Sequence, residues 1–142
     1  MQSTSHHIAP SRLLRAGLAI DAAGSGAIGL AHVAATGALA QLLAVPSAVI
    51  LGSGLFMLAY AATLVVLARS ATLPRGLVRF IVIGNSVHVA GCLLLAMLVP
   101  GLNAYAVGHL VLQALAVTLF VVLQARGLGQ SQPAHATHAR LA

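Results

Sequence analysis

Four apolar stretches, each about 20 residues long, leave this chain few ways to fold. They are Leu14–Thr36, Ser47–Ala68, Phe80–Val99 and Ala104–Gln124. An α-helix of that length rises about 1.5 Å per residue and matches a hydrocarbon core of about 30 Å. A spanning strand needs only about 9–11 residues and alternates polar with apolar positions, which these stretches do not. The joints between them carry turn chemistry: Val45-Pro46-Ser47, Leu73-Pro74-Arg75-Gly76 and Pro100-Gly101-Leu102-Asn103. Composition agrees. Of the 142 residues, 60% are hydrophobic and 6% charged, with a mean hydropathy of +1.02. A soluble domain carries about 25% charged residues, so lipid is the expected solvent.

The expected fold is therefore all-α: an integral membrane antiparallel four-helix bundle over residues 13–126. Residues 1–12 read as a disordered arm and residues 127–142 as a disordered tail. The first stretch has basic residues before it, and Ala38-Leu39-Ala40 resembles a signal-peptidase site. Its apolar run is long for a signal sequence and is interrupted by Asp21, so it is read as a retained span.

Charge supplies an orientation. All seven basic residues are arginines. Arg12 and Arg15 precede the first stretch, Arg69, Arg75 and Arg79 flank the second joint, and Arg126 and Arg140 follow the fourth stretch. The first and third joints carry none. With four spans, every arginine falls on one side, and the positive-inside rule places both termini in the cytoplasm. A net charge of +6 without a dense basic patch does not suggest nucleic acid. The single cysteine, Cys92, excludes an internal disulfide framework and reads as a buried, inert thiol.

Asp21 is the only acidic residue in the chain. A carboxylate at mid-bilayer costs roughly 2.5–3.5 kcal/mol on insertion scales, so it should face protein or trapped water. At about 100° per residue, Gly17, Asp21, Ser25, Gly29, His32 and Thr36 share one helical face. The other spans also carry polar stripes: Ser53 to Tyr60, then Asn85, His88 and Cys92, then Tyr105, His109, Gln113 and Phe120. Turned inward, the stripes leave Leu, Val, Ile and Ala to the lipid.

Depth places Asp21, Ser25, Asn85 and His88 in one intramembrane polar site near the cytoplasmic side, with Arg15 and Arg79 as rival partners. His32, Tyr60, His109 and Gln113 form a possible outer polar site. Gly24, Gly26, Gly29, Gly52 and Gly54 read as helix-packing positions, where small residues let backbones approach. Gly24-Ser25-Gly26-Ala27-Ile28-Gly29 matches a dinucleotide-binding spacing, but it lies inside an apolar helix with no strand before it. His32 and His109 on opposing helices are the arrangement that ligates haem. Lacking other ligand groups, no cofactor and no metal is expected.

Ser25-Gly26 in the first span, Val45-Pro46 after a short joint, and Gly52 with Gly54 early in the second resemble the small bacterial membrane proteins of the DoxX type. The resemblance covers roughly Leu14 to Ala68. Gly29-Leu30 stands where that family usually has a basic residue. It implies an accessory membrane subunit of a bacterial inner membrane, and no catalytic residue carries over. Small multidrug-resistance transporters also have four short helices and one acidic residue in the first. The one-sided arginines here argue against their dual insertion. The leading expectation is a non-enzymatic accessory or structural membrane subunit, associating with itself or a membrane partner. The alternative is a small proton-coupled transporter using Asp21. One carboxylate and no soluble catalytic domain argue against an enzyme.

Overall fold

The computed structural model describes residues 6–134. It contains five helices: α1 (Arg12–Ala34), α2 (Thr36–Leu43), α3 (Ser47–Arg69), α4 (Arg75–Leu98) and α5 (Ala104–Gly129). All but α2 are long and apolar enough to cross a membrane. Three short strands accompany them: β1 (His7–Ala9), β2 (Leu73–Pro74) and β3 (Gln132–Pro133).

The strands correct the expectation of a disordered arm and tail. β1 lies between the other two, with Ile8 opposite Leu73 on one side and Pro133 on the other, both pairings antiparallel. Both prolines therefore sit on edge strands, where a missing backbone donor is tolerated. Ile8 and Leu73 are buried in one hydrophobic cluster with Leu14, Leu18, Leu64 and Val78. The expected arm is ordered from residue 6, and the expected tail is helical to Gly129 and paired at β3. Residues 1–5 and 135–142, including His135, His138 and Arg140, lie outside the described residues.

The sheet ties the start of α1, the joint between α3 and α4, and the end of α5 to one end of the molecule. Ser11 caps α1. Its hydroxyl accepts from Leu14 N–H at 3.1 Å and donates to the Gly127 carbonyl at 2.8 Å. Ser131 donates to that same carbonyl at 2.8 Å, and its oxygen accepts from Ser11 N–H at 3.0 Å. At the start of α4, five residues before the expected Phe80, Arg75 N–H donates to the His6 carbonyl at 2.9 Å, and beyond Gln124 the two serine hydroxyls hold α5 at Gly127. The backbone at both places is held by the sheet, not by the apolar run alone.

The first joint is also more structured than expected. α1 ends at Ala34, and Ala35 leaves helical geometry at φ −117°. Thr36 turns its hydroxyl back to the His32 carbonyl at 2.6 Å. The helix-forming run Thr36–Leu43 then makes α2. It stops at Ala44, whose φ of 54° is left-handed. Val45 N–H reaches the Ala40 carbonyl and Ala44 N–H the Gln41 carbonyl, the pairing of a Schellman motif that glycine usually closes. Ala44→Gly should therefore stabilise the protein by about 1 kcal/mol, measured as a higher denaturation midpoint in detergent. No change would mean that the strain is absorbed elsewhere. At the same end, the Asn103 side chain caps α5 through Ala106 N–H (2.8 Å) and donates to the Leu42 carbonyl (2.9 Å), while Gly101 takes a φ of +82°.

Between these ends, α1 packs against both α3 and α5, and α4 packs on α5. The buried face of α1 is Leu14, Gly17, Leu18, Asp21, Ala22, Ser25, Gly29 and His32, a 3–4 spacing. Gly29 and Gly54 face each other across the α1–α3 contact. A Cβ on Gly54 would stand 2.8 Å from the His32 Cβ, and one on Gly29 3.0 Å from the Gly54 carbonyl oxygen. A Cβ on Gly24 would stand 2.9 Å from the Phe120 ring, and one on Gly26 would make ordinary contact with Ala61. Gly52 has open space beside it and packs against nothing. Large apolar side chains cover the outside, with Phe56, Phe80 and Met97 at least 70% exposed.

Candidate functional site

Asp21 is 1% exposed, and four other side chains converge on its carboxylate. Ser25, one turn along α1, donates to Oδ1 at 2.9 Å. On Oδ2, Gln124 of α5 donates through Nε2 at 2.7 Å, Asn85 of α4 through Nδ2 at 2.8 Å, and Tyr60 of α3 through its hydroxyl at 3.1 Å. Asn85 Nδ2 also donates to Gln124 Oε1 at 3.3 Å. One group on α1 thereby fastens all four long helices. The donors are neutral, and no arginine is among the partners. Arg15 instead donates through Nη1 to the Ala68 carbonyl at 2.9 Å, at a helix end, and Arg79 is exposed.

A carboxylate needs donors in place of the water it leaves, and this shell supplies them. The Tyr60 hydroxyl has one proton and two acceptors in reach: Asp21 Oδ2 at 3.1 Å and Asn85 Oδ1 at 3.0 Å. With Asp21 ionised, that proton serves the carboxylate. With Asp21 protonated on Oδ2, the acid donates to the Tyr60 oxygen and the phenol turns to Asn85. Rotation of one hydroxyl satisfies both forms.

The expected grouping is thus rearranged. Asp21, Ser25 and Asn85 meet. His88 does not join them, because it lies a turn further along α4 and Nε2 stands 3.1 Å from Gln113 Oε1 and 3.4 Å from Cys92 Sγ. Tyr60, read as part of the outer site, belongs to Asp21. Gln124 was not singled out, although it continues the α5 stripe four residues after Phe120. Its position at the edge of the apolar run hid it.

The remaining outer residues form a second cluster. His32 Nδ1 lies 2.9 Å from Ser53 Oγ, and Gln113 Nε2 lies 2.6 Å from His109 Nε2. The His32 and His109 rings sit against one another, centroids 5.3 Å apart and tilted by 42°. Among the described residues, no three His, Cys, Asp or Glu side chains are arranged to hold a metal ion.

Fold and sites together define a class: a small helical protein with four helices fit to span a membrane and two polar clusters between them. No family model matches the chain, and it matches no curated protein and no solved structure.

Proposed function

We propose that this chain is a multi-pass protein of the bacterial inner membrane, an antiparallel four-helix bundle with both termini in the cytoplasm, that serves as a non-enzymatic accessory or structural subunit. The observation that carries this reading is the saturated Asp21 carboxylate. The one acidic group in the spans is bound by all the other long helices, the arrangement of a clasp rather than of an open site. Asp21 also lines neither the cleft beside Arg15 and Ala68 nor the one beside His32 and His109. The orientation rests on the arginines. Arg12, Arg15, Arg69, Arg75, Arg79 and Arg126 all belong to the sheet end, and the opposite joints have none. Association with a second copy or a membrane partner is supported by Gly84, an exposed glycine on α4 with open space beside it where another backbone can approach.

A second reading, a small proton-coupled transporter, is favoured by one observation: the Tyr60 hydroxyl lies within hydrogen-bond distance of both Asp21 Oδ2 (3.1 Å) and Asn85 Oδ1 (3.0 Å), so its proton has a second acceptor to turn to. The two readings separate in one pair of measurements. For an accessory subunit, native mass spectrometry of protein extracted in mild detergent shows a stoichiometric assembly that survives Asp21→Asn, and proteoliposomes show no proton flux. A solitary monomer with flux that disappears in Asp21→Asn reverses the assignment.

A further inference from the structure

Away from the sheet, α1, α3, α4 and α5 border a partly open cavity of about 560 Å³. Its size suits a small molecule, and most of its wall is apolar, Ile50, Met57, Leu95 and Leu110 among it. Among the described residues no Asp, Glu, Lys or Arg lines it to balance an ionic ligand. His32, Ser53, His88, His109 and Gln113 supply its polar part.

Hydrogen bonding sets what these groups offer. In the tautomer in which the Ser53 hydroxyl donates to the Ile50 carbonyl at 2.9 Å, its oxygen accepts from His32 Nδ1–H. That leaves His32 Nε2 as a bare acceptor. The ring is 4% exposed, and Nε2 is a buried atom with no partner among the described residues. Such an atom calls for an explanation. Next to it, Gln113 Nε2 donates to His109 Nε2, with the Gln113 oxygen set against His88. The proton of a neutral His109 is therefore on Nδ1, a donor. The two rings, with centroids 5.3 Å apart, then carry one acceptor and one donor. A hydroxyl is the group that donates and accepts through a single oxygen. An ether lacks the proton, and an ammonium lacks the lone pair.

We propose that this cavity binds an uncharged apolar molecule through a single hydroxyl group, which donates to His32 Nε2 and accepts from His109 Nδ1–H. The site is separate from Asp21, and its occupancy does not depend on the accessory or transport reading. A matched pair of probes tests it: 4-octylphenol and its methyl ether, titrated into protein labelled with ¹⁵N-histidine in phosphatidylcholine nanodiscs. The phenol should bind at least tenfold more tightly than the ether and should move the His32 ¹⁵Nε2 resonance. His32→Phe should remove the preference while leaving ether affinity unchanged. Ser53→Ala, which frees Nδ1 and unlocks the tautomer, should weaken the preference with the ring retained. Equal affinity for the two probes, no binding of either to folded protein, or an unmoved His32 resonance would overturn the proposal.

Discussion

Asp21→Ala should lower the stability of the detergent-solubilised protein by about 2–6 kcal/mol, while Asp21→Asn should stay within about 1 kcal/mol of the parent. The difference follows from counting donors. Removing the carboxylate leaves Ser25 a backbone carbonyl one turn back and leaves Tyr60 the Asn85 oxygen at 3.0 Å. The amides of Asn85 and Gln124 lose their strongest acceptor, and Gln124 is wholly buried. Each orphaned buried donor costs about 1–3 kcal/mol. A carboxamide instead keeps one oxygen at the Oδ2 position, facing those amides, and presents its NH₂ to the Ser25 oxygen. The weaker neutral bonds are offset by not burying a charge. Replacing Asp21, Asn85 and Gln124 together with Leu, and Tyr60 with Phe, should recover part of the loss, because no polar group that bonded to the carboxylate from another helix is then left unpaired. The measurement is resistance to denaturing detergent or heat, read by size-exclusion chromatography. An alanine variant as stable as the parent would show that Asp21 holds nothing together.

The spans were legible because a bilayer imposes a length that few other structures need. Their ends were less so. α4 starts five residues before the expected Phe80, and α5 ends five residues after the expected Gln124. In both cases the helix takes in arginines that flank the apolar run, Arg75 and Arg79 in α4 and Arg126 in α5. The shifted ends change the depths at the site. Measured from the observed helix ends, Asp21 and Tyr60 are each nine residues from the sheet side and Asn85 is ten. At about 1.5 Å per residue these three stand at one depth. His88 is three residues deeper than Asn85 and falls to the other cluster. The face of α1 was readable from periodicity, since Gly17, Asp21, Ser25, Gly29 and His32 all turn inward. The sheet was not readable: strands of two or three residues, two of them ending in proline, show no alternation to detect.

The sheet end supplies the second large effect. Gly127→Ala should destabilise the protein by about 1–3 kcal/mol, and Gly52→Ala, on the exposed side of α3, should be neutral or gain up to about 1 kcal/mol. At Gly127 an added Cβ would overlap the backbone N and Cα of Leu14, the first turn of α1. Backbone cannot rotate aside as a side chain can, so the ends of α1 and α5 must separate. Separation breaks more than packing. The Gly127 carbonyl accepts both the Ser11 and the Ser131 hydroxyls, and Ser11 is the cap of α1. Loss of that junction loosens β1 between its two neighbours and exposes Ile8, Leu14 and Leu128, all buried in the parent. Limited trypsin digestion should therefore cut the Gly127→Ala protein faster at Arg12, Arg15 and Arg126, with Arg69 less affected because it closes α3 on the other side of β2. At Gly52 nothing stands near the added methyl, and alanine is the better helix former. If the two alanine variants behaved alike in stability and in digestion, the contact between the start of α1 and the end of α5 would not be what holds the sheet end closed.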